Sequence, residues 1–596
     1  MLLVFFASMT HVRRVSWPAV VLSLFALSSA AALTAPARLH GDCSPRCGWG
    51  TVPSFPRYGT GTAPNLDVAI SVDAGRTLGP LPQAWRFFGA DEPNYAYLPD
   101  GRRLIEQLGA LSPGHVYFRA HNLLTTGDGT PALKWGSTNA YREDAQGRPI
   151  YDWTILDRIF DTYLQHGVRP YVEIGFMPEA LSSHPEPYQH HWTPTAKYDE
   201  IFLGWTHPPT DFVKWGDLVH AWAAHVVDRY GRAEVEKWYW EVWNEANIGY
   251  WSGTPEQFHK LHDYAVDGVR RALPSARVGG PDVAGDGGEF SRDFFAHVLH
   301  GSNFATGGTG TPTDFVSFHA KGKPTFIDGH VRMGIAAQLT TIDAGFRIVS
   351  SFPELKRTPI VIGESDPDGC AACQGQQLGY RNTTMYSSYT AASYARTLDL
   401  AARHGVNLEG ALTWAFEFEG QPLFAGFRAL ATGGIDLPVL NVFRMLSRMG
   451  TTRVEALSDG SVSLDTMMRE GVRERPDVSA LASRDDRRLT ILLWNYHDDD
   501  VAGPAADVSL AISGLPATAS ALHVRRYLVD AGHGNAFAEW RQMGAPASLD
   551  AIQRASLERA SQLAEVEARE IIATPAPVSL HLPLERQAVS LLVIEW

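Results

Sequence analysis

Four cysteines in 596 residues exclude a disulfide-stapled scaffold, in which cysteine makes up about one residue in ten. The formal charge is -14 at neutral pH, and lysine and arginine form no long run. Nucleic acid and anionic lipid, which are held by clustered cations, therefore have no support as partners. Beyond the N-terminal 37 residues no segment is apolar over the ~18 residues that a membrane span requires, so no stable membrane partner is expected. No glycine-rich phosphate loop follows the first strand-like segment, which argues against an open, doubly wound nucleotide-binding sheet.

What the chain does have is tryptophan, seventeen in all, many of them just after apparent strands. Flat aromatic faces are what sugar rings stack on, so the composition favours a carbohydrate ligand. The length exceeds one compact core, and two or three domains are expected.

The N-terminus reads as an export signal. His11, Arg13 and Arg14 precede an apolar stretch over residues 15–32 that exits through alanines and then Pro36. Cleavage after Ala32 or Ala37 and a secreted or periplasmic location are expected, with a retained anchor as the alternative. The cysteines fall in two short-spaced pairs, Cys43 with Cys47 and Cys370 with Cys373. Four cysteines allow three disulfide pairings, and a tetrahedral zinc site is a further option.

From residue 85 onward strand-like and helix-like segments alternate. Strands are expected over residues 85–89, 115–120, 169–176, 237–243, 276–280, 314–319, 359–363 and 408–416. Amphipathic helices are expected over 152–166, 211–230, 255–272 and 385–404, the first with Asp152 as N-cap and Gly167 as stop. Eight nearly continuous apolar strands, each followed by a helix, indicate a closed (β/α)8 TIM barrel over residues 85–450.

In that fold the chemistry gathers at the C-terminal ends of the strands. The most telling segment is KWYWEVWNEANIGYW, residues 237–251, where an apolar strand delivers Asn244 and Glu245 among Trp243, Tyr250 and Trp251. Glu364 ends the seventh strand in TPIVIGES. His121 follows the second strand, Glu173 sits in the third, His319 ends the sixth, and Trp414 lies in the eighth. Two carboxyls facing each other across a barrel mouth suit glycoside hydrolysis, one protonating the leaving oxygen while the other attacks or stabilises the anomeric carbon.

Several ordered motifs then agree with one family. YFRAHNL (residues 117–123), the run from Tyr151 to Leu181, WYWEVWNEAN (238–247), VGGPD (278–282), DFVSFHA (314–320) and IGES (362–365) resemble glycoside hydrolase family 39, which contains β-xylosidases and α-L-iduronidases. LLWNYHDDD (492–500) and GNAFAEWRQMGAP (534–546) are similar to its C-terminal region. The resemblance implies a barrel plus an all-β sandwich and a retaining double displacement without metal or cofactor. It makes Glu245 the general acid/base and Glu364 the nucleophile. Asn244, His121, His319, Glu173 and Trp414 become candidate sugar-binding residues. Two departures stand out: Ala246 replaces the proline usual after the acid/base, and Lys321 replaces the tyrosine usual in the His-x-Tyr motif. The segment GCAACQGQQLGY (369–380) is expected to shape the pocket rim.

Residues 451–596 read as short strands separated by turns, which suits the sandwich, with a helical insertion over 549–572. Part of residues 38–84, around 66–72, is expected to join it. The sandwich is read as a packing partner of the barrel more readily than as a sugar-binding module. The expected activity is an exported, retaining exo-glycosidase, a β-xylosidase acting on a short xylo-oligosaccharide or related glycoside. Alternatives are α-L-iduronidase or α-L-arabinosidase specificity, or a carbohydrate-binding protein without turnover.

Overall fold

The computed structural model describes residues 64–596 except 194–195, 517–520 and 573–576. The expected export signal and the pair Cys43 and Cys47 lie outside the described residues. Eight parallel strands, Phe87–Ala90, Val116–Ala120, Val168–Ile174, Tyr239–Val242, Arg277–Val283, Phe315–Lys321, Pro359–Asp366 and Asn407–Ala411, are neighbours in chain order. The ring closes because the Gly89 N–H donates to the Thr413 carbonyl (3.1 Å) and the Thr413 N–H to that of Phe87 (3.0 Å). The fold is the expected TIM barrel.

The strands carry an inward period of two, and it builds the barrel interior in layers. Phe87, Tyr117, Tyr171, Tyr239 and Phe315 meet in an aromatic layer with ring centroids 4.9–6.3 Å apart. Two residues further along come Gly89, Arg119, Glu173, Glu241 and Ser317, and two further again Asp91, His121 and His319. Gly89 is required by the neighbouring strand: a Cβ there would stand 2.4 Å from the Trp414 ring.

Helices Phe212–Tyr230, Pro255–Ala272 and Thr384–His404 match the expected ones, with Asp211 and Thr254 accepting N–H bonds as N-caps. The helix expected from Asp152 begins at Thr154, with Trp153 in the cap position. The Asp152 carboxylate instead accepts from the Thr154 N–H (3.1 Å), one of the bonds a short acidic side chain offers outside a helix. Strand four is shorter than read, because Trp243 turns to φ +72° and leaves the ladder. Strand eight stops at Ala411, and residues 412–416 continue only as isolated bridges.

A nine-stranded sheet folds over a second apolar core and forms the sandwich. Leu66–Pro80 lies inside this sheet, antiparallel to Thr452–Ser458 and parallel to Ala506–Ser513. The helix read over 549–572 is only half present. Ala551–Ala560 is helical, capped by Asp550 and Gln553, but Ala564–Ile572 is an edge strand on Ala521–Val529. Its Ala, Glu and Arg residues favour a helix locally, and the unpaired backbone of the sheet edge overrides that preference.

The barrel and the sandwich are pinned together by buried and half-buried polar groups. Arg396, on the barrel helix, pairs with Asp477 (2.9 Å), which also accepts from Trp494 Nε1 (2.8 Å). A hairpin after barrel strand six, Thr325–Ile327 with His330–Arg332, is held by Asp499 through Arg332 Nε (2.5 Å) and His330 (3.2 Å). Trp494, fully buried at this junction, is a packing residue and not a sugar platform. Ile70→Asp, which would leave an unpaired carboxylate in the sandwich core, is expected to cost more than about 4 kcal/mol. Thermal melting checks it: loss of the folded transition is the expected result, and a near-normal melting temperature would contradict the central placement of this strand.

Candidate active site

A cavity lies at the C-terminal ends of the barrel strands. Asp91, His121, Lys134, Tyr198, Asn244, Glu245, Tyr250, Glu364 and Trp414 line it, with Gly369 and Ala371 of the segment after strand seven. The backbone is contorted here: Asn122, Trp243, Glu245 and Asp282, none of them glycine, all have φ between +45° and +72°. Such conformations cost on the order of 1 kcal/mol each and persist where surrounding contacts force them.

Glu245 and Glu364, far apart in sequence, are brought together over one histidine. His319 Nδ1 is 2.8 Å from Glu245 Oε1 and 3.9 Å from Glu364 Oε1. Both distances run from one atom, so the two carboxylate oxygens lie no more than their sum, about 6.7 Å, apart. Asn244 lines the cavity beside Glu245 and accepts from Arg119 Nη2 (3.2 Å).

Beneath the cavity floor sits a layer of buried charge. Arg119, with no exposed side-chain surface, contacts Glu173 (2.8 Å), Glu241 (2.7 Å), Asp282 and, at 3.8 Å, Glu364. Burial opposes its charge, yet these carboxylates hold Arg119 protonated well above the ordinary range. His319 has the same balance: burial pushes it down, but Asp282, Glu364 and Glu245 raise it to about 10. It is therefore an imidazolium at neutral pH. Burial drives His121 the other way, aided by Arg119 and Lys134, so it stays neutral. Its Nδ1 shares a 2.6 Å hydrogen bond with Glu173, whose carboxyl burial pushes well above the usual range against the pull of Arg119. Burial would also raise Glu364, but the charges of Lys321, His319 and Arg119 outweigh it and bring it down to about 2.

This arrangement corrects parts of the sequence reading. Glu173 and His319 have no exposed side-chain surface and do not line the cavity. They hold the groups that do, because buried charges must find partners. Trp243 and Trp251 are core residues, with Trp243 Nε1 donating to the Tyr250 carbonyl (2.8 Å). Trp414 does reach the wall, where its Nε1 donates to Asp91 (3.0 Å).

Sequence reasoning missed Asp91, Lys134, Tyr198, Arg119 and Asp282. Asp91 and Arg119 had a signal, the inward period of two through Phe87-Gly89-Asp91 and Tyr117-Arg119-His121. Lys134 and Tyr198 arrive on long irregular connections that carry no period. The segment after strand seven lines the cavity as expected, and Cys370 is joined to Cys373 within it. Arg381 braces this segment through the carbonyls of Cys370 (2.6 Å) and Cys373 (2.7 Å).

The sequence profile of glycosyl hydrolases family 39 matches residues 68–574. The chain belongs to this family. A β-xylosidase of Geobacillus stearothermophilus is 29% identical over 500 residues, covering 81% of this chain and 86% of that one. Human α-L-iduronidase is 28% identical over 528 residues, covering 81% and 71%. The crystal structure of a monomeric β-xylosidase from Caulobacter crescentus CB15 superposes with a TM-score of 0.68 at 22% identity, covering 88% of this chain and 99% of that one. That likeness concerns the fold, a barrel with a sandwich.

Within family 39 the departure at Lys321 now has a geometry. Its Nζ bridges Glu364 Oε2 (2.5 Å) and Asp366 Oδ2 (2.7 Å), so its charge is spent on two carboxylates. Because the folded value of Glu364 lies below the usual 4.5, the stability it contributes is complete above about pH 4.5 and lost as pH falls toward 2. Lys321→Met removes the foremost of the charges opposing protonation. The acid limb of kcat/KM against pH is expected to move up by about one unit or more. An unmoved limb would show that Lys321 does not set the charge of Glu364.

Proposed function

We propose that this family 39 enzyme is an exported, retaining exo-β-xylosidase, with Glu364 as nucleophile and Glu245 as general acid/base. The carrying observation is the upper bound of about 6.7 Å between the two carboxylate oxygens. Retaining enzymes hold their carboxyls ~5–5.5 Å apart and inverting enzymes ~6.5–9.5 Å. A pair of oxygens this close accommodates the retaining separation and supports that reading.

In the first step Glu364 Oε attacks the anomeric carbon while the glycosidic C–O bond breaks and Glu245 protonates the departing oxygen. In the second, water attacks the same carbon and gives its proton to Glu245, and the bond to Glu364 breaks. The low value of Glu364 keeps it ionised and ready to attack. His319, donating to Glu245 as a cation, fixes the orientation of that carboxyl.

Charge supports a neutral sugar. Lys134 is paired with Asp91, and Lys321 with Glu364 and Asp366, so neither cation is left over for a uronate. A second reading, an acidic sugar as in the α-L-iduronidases, is favoured by the presence of Lys321 itself beside the nucleophile. The basic and apolar N-terminus supports export.

A panel of nitrophenyl glycosides tests the sugar, with hydrolysis of the β-D-xyloside expected and exclusive hydrolysis of the α-L-iduronide selecting the second reading. Glu364→Ala is expected to lower turnover by about 10⁴-fold or more, with azide yielding the glycosyl azide of inverted configuration. Glu245→Ala is expected to spare substrates with good leaving groups and to give the azide of retained configuration. Near-normal activity of Glu364→Ala would overturn the assignment of the nucleophile.

A further inference from the structure

Lys134 is the least expected residue on the cavity wall. It stands in a tight turn closed by reciprocal hydrogen bonds between Ala132 and Trp135 (3.0 and 2.9 Å). Its own φ is +58°, a region that favours glycine, and its N–H is fixed by the Glu92 carboxyl (2.5 Å). A long β-substituted residue in this conformation is strained, which calls for a use of its side chain. That side chain is only 4% exposed, and its Nζ lies 5.1 Å from the ring centre of Tyr198 and 5.8 Å from that of Trp192.

An ammonium has three N–H donors. Among the described residues, one is placed, on Asp91 Oδ2 at 3.1 Å. Asp91 in turn takes Trp414 Nε1 on its other oxygen (3.0 Å), with His121 Nε2 3.5 Å away. Both members of the pair line the cavity. The pair thus offers adjacent charged donors and acceptors with no net charge, the set that matches two neighbouring hydroxyls and not a carboxylate.

Its position says which hydroxyls. His121 Nε2 is 3.8 Å from Glu364 Oε1 and 3.5 Å from Asp91 Oδ1, so the pair shares the floor with the nucleophile. The leaving group lies toward Glu245, just beyond strand four, and Asp91 follows strand one, across the ring of eight strands from it, so Asp91 and Lys134 fall toward the end of a bound ring away from the leaving group. We propose that Asp91 and Lys134 together read the two adjacent hydroxyls of the sugar farthest from the anomeric carbon, its 3- and 4-hydroxyls. The pair walls off that end, so the accepted unit is a terminal one with both hydroxyls free. The assignment rests on the glycosidase reading above, and it names the recognition element of that site.

The test compares kcat/KM for 4-nitrophenyl β-D-xyloside with its 3-deoxy and 4-deoxy forms. The wild type is expected to lose about 10- to 100-fold on at least one deoxy form, as for a lost hydrogen bond to a charged group. Lys134→Met keeps the stem against the aromatic faces and removes the charge. It is expected to cut hydrolysis of the parent by a similar factor while the remaining deoxy penalty falls below about threefold. Asp91→Asn gives a second, independent comparison, and thermal melting shows that each variant is folded. A full deoxy penalty persisting in both folded variants, or unchanged hydrolysis of the parent, would overturn the proposal. Wild-type turnover of the parent reports separately on the β-xylosidase reading. If the panel names another sugar, its 3- and 4-deoxy forms replace those of xylose and are judged by the same ratios. If it names none, calorimetric binding of xylose against 4-deoxyxylose gives the comparison without turnover, and equal or absent binding of the two overturns the assignment.

Discussion

The arrangement depends on one buried cation. Arg119 stands at the centre of the barrel with carboxylates from strands three, four, five and seven around it. TIM-barrel interiors are commonly filled by branched apolar side chains. Here the aromatic layer does that filling, and the layer above it is ionic. A guanidinium withdrawn from water is tolerated only where acceptors surround it, and each acceptor is tolerated only because of the guanidinium. Strands from around the ring are thereby tied to one point, directly beneath the two carboxyls.

The same layer distributes protons among groups a few ångströms apart. His319 is charged and His121 neutral, while Glu173 is pushed up toward protonation and Glu364 is held down as the ionised form. These are opposite outcomes for like side chains, and environment decides each of them. For His121 burial prevails, with Arg119 and Lys134 adding to it, whereas for His319 the charges of Asp282 and Glu364 and the bond to Glu245 overcome burial. Gly363 belongs to this design, since a Cβ there would collide with the Asp282 carboxylate.

Much of this was legible in the sequence. Glu245 and Glu364 stood out because each closes an apolar strand, and the fold placed them at one mouth. The strand-helix alternation gave the barrel because buried parallel strands read as continuous apolar runs. The ionic layer was written in the same period of two, as Tyr117-Arg119-His121 and Tyr239-Glu241, but polar residues inside apparent strands were read as site residues or passed over. Glu173 was taken for a sugar ligand because its place on the strand was clear while its depth was not. Lys134 and Tyr198 were out of reach, since irregular connections fix no direction for a side chain. The edge strand Ala564–Ile572 was misread because its neighbour across the sheet, not its own composition, decides its form.

The strand Leu66–Pro80 has a consequence for how the molecule is made. It is synthesised before the barrel, yet its partners Thr452–Ser458 and Ala506–Ser513 emerge only after the barrel is complete. During translation this alternating apolar ribbon must remain unpaired for most of the time the ribosome spends on the message. The sandwich is complete only once this segment meets those later strands. A holding chaperone during synthesis has a defined segment to protect.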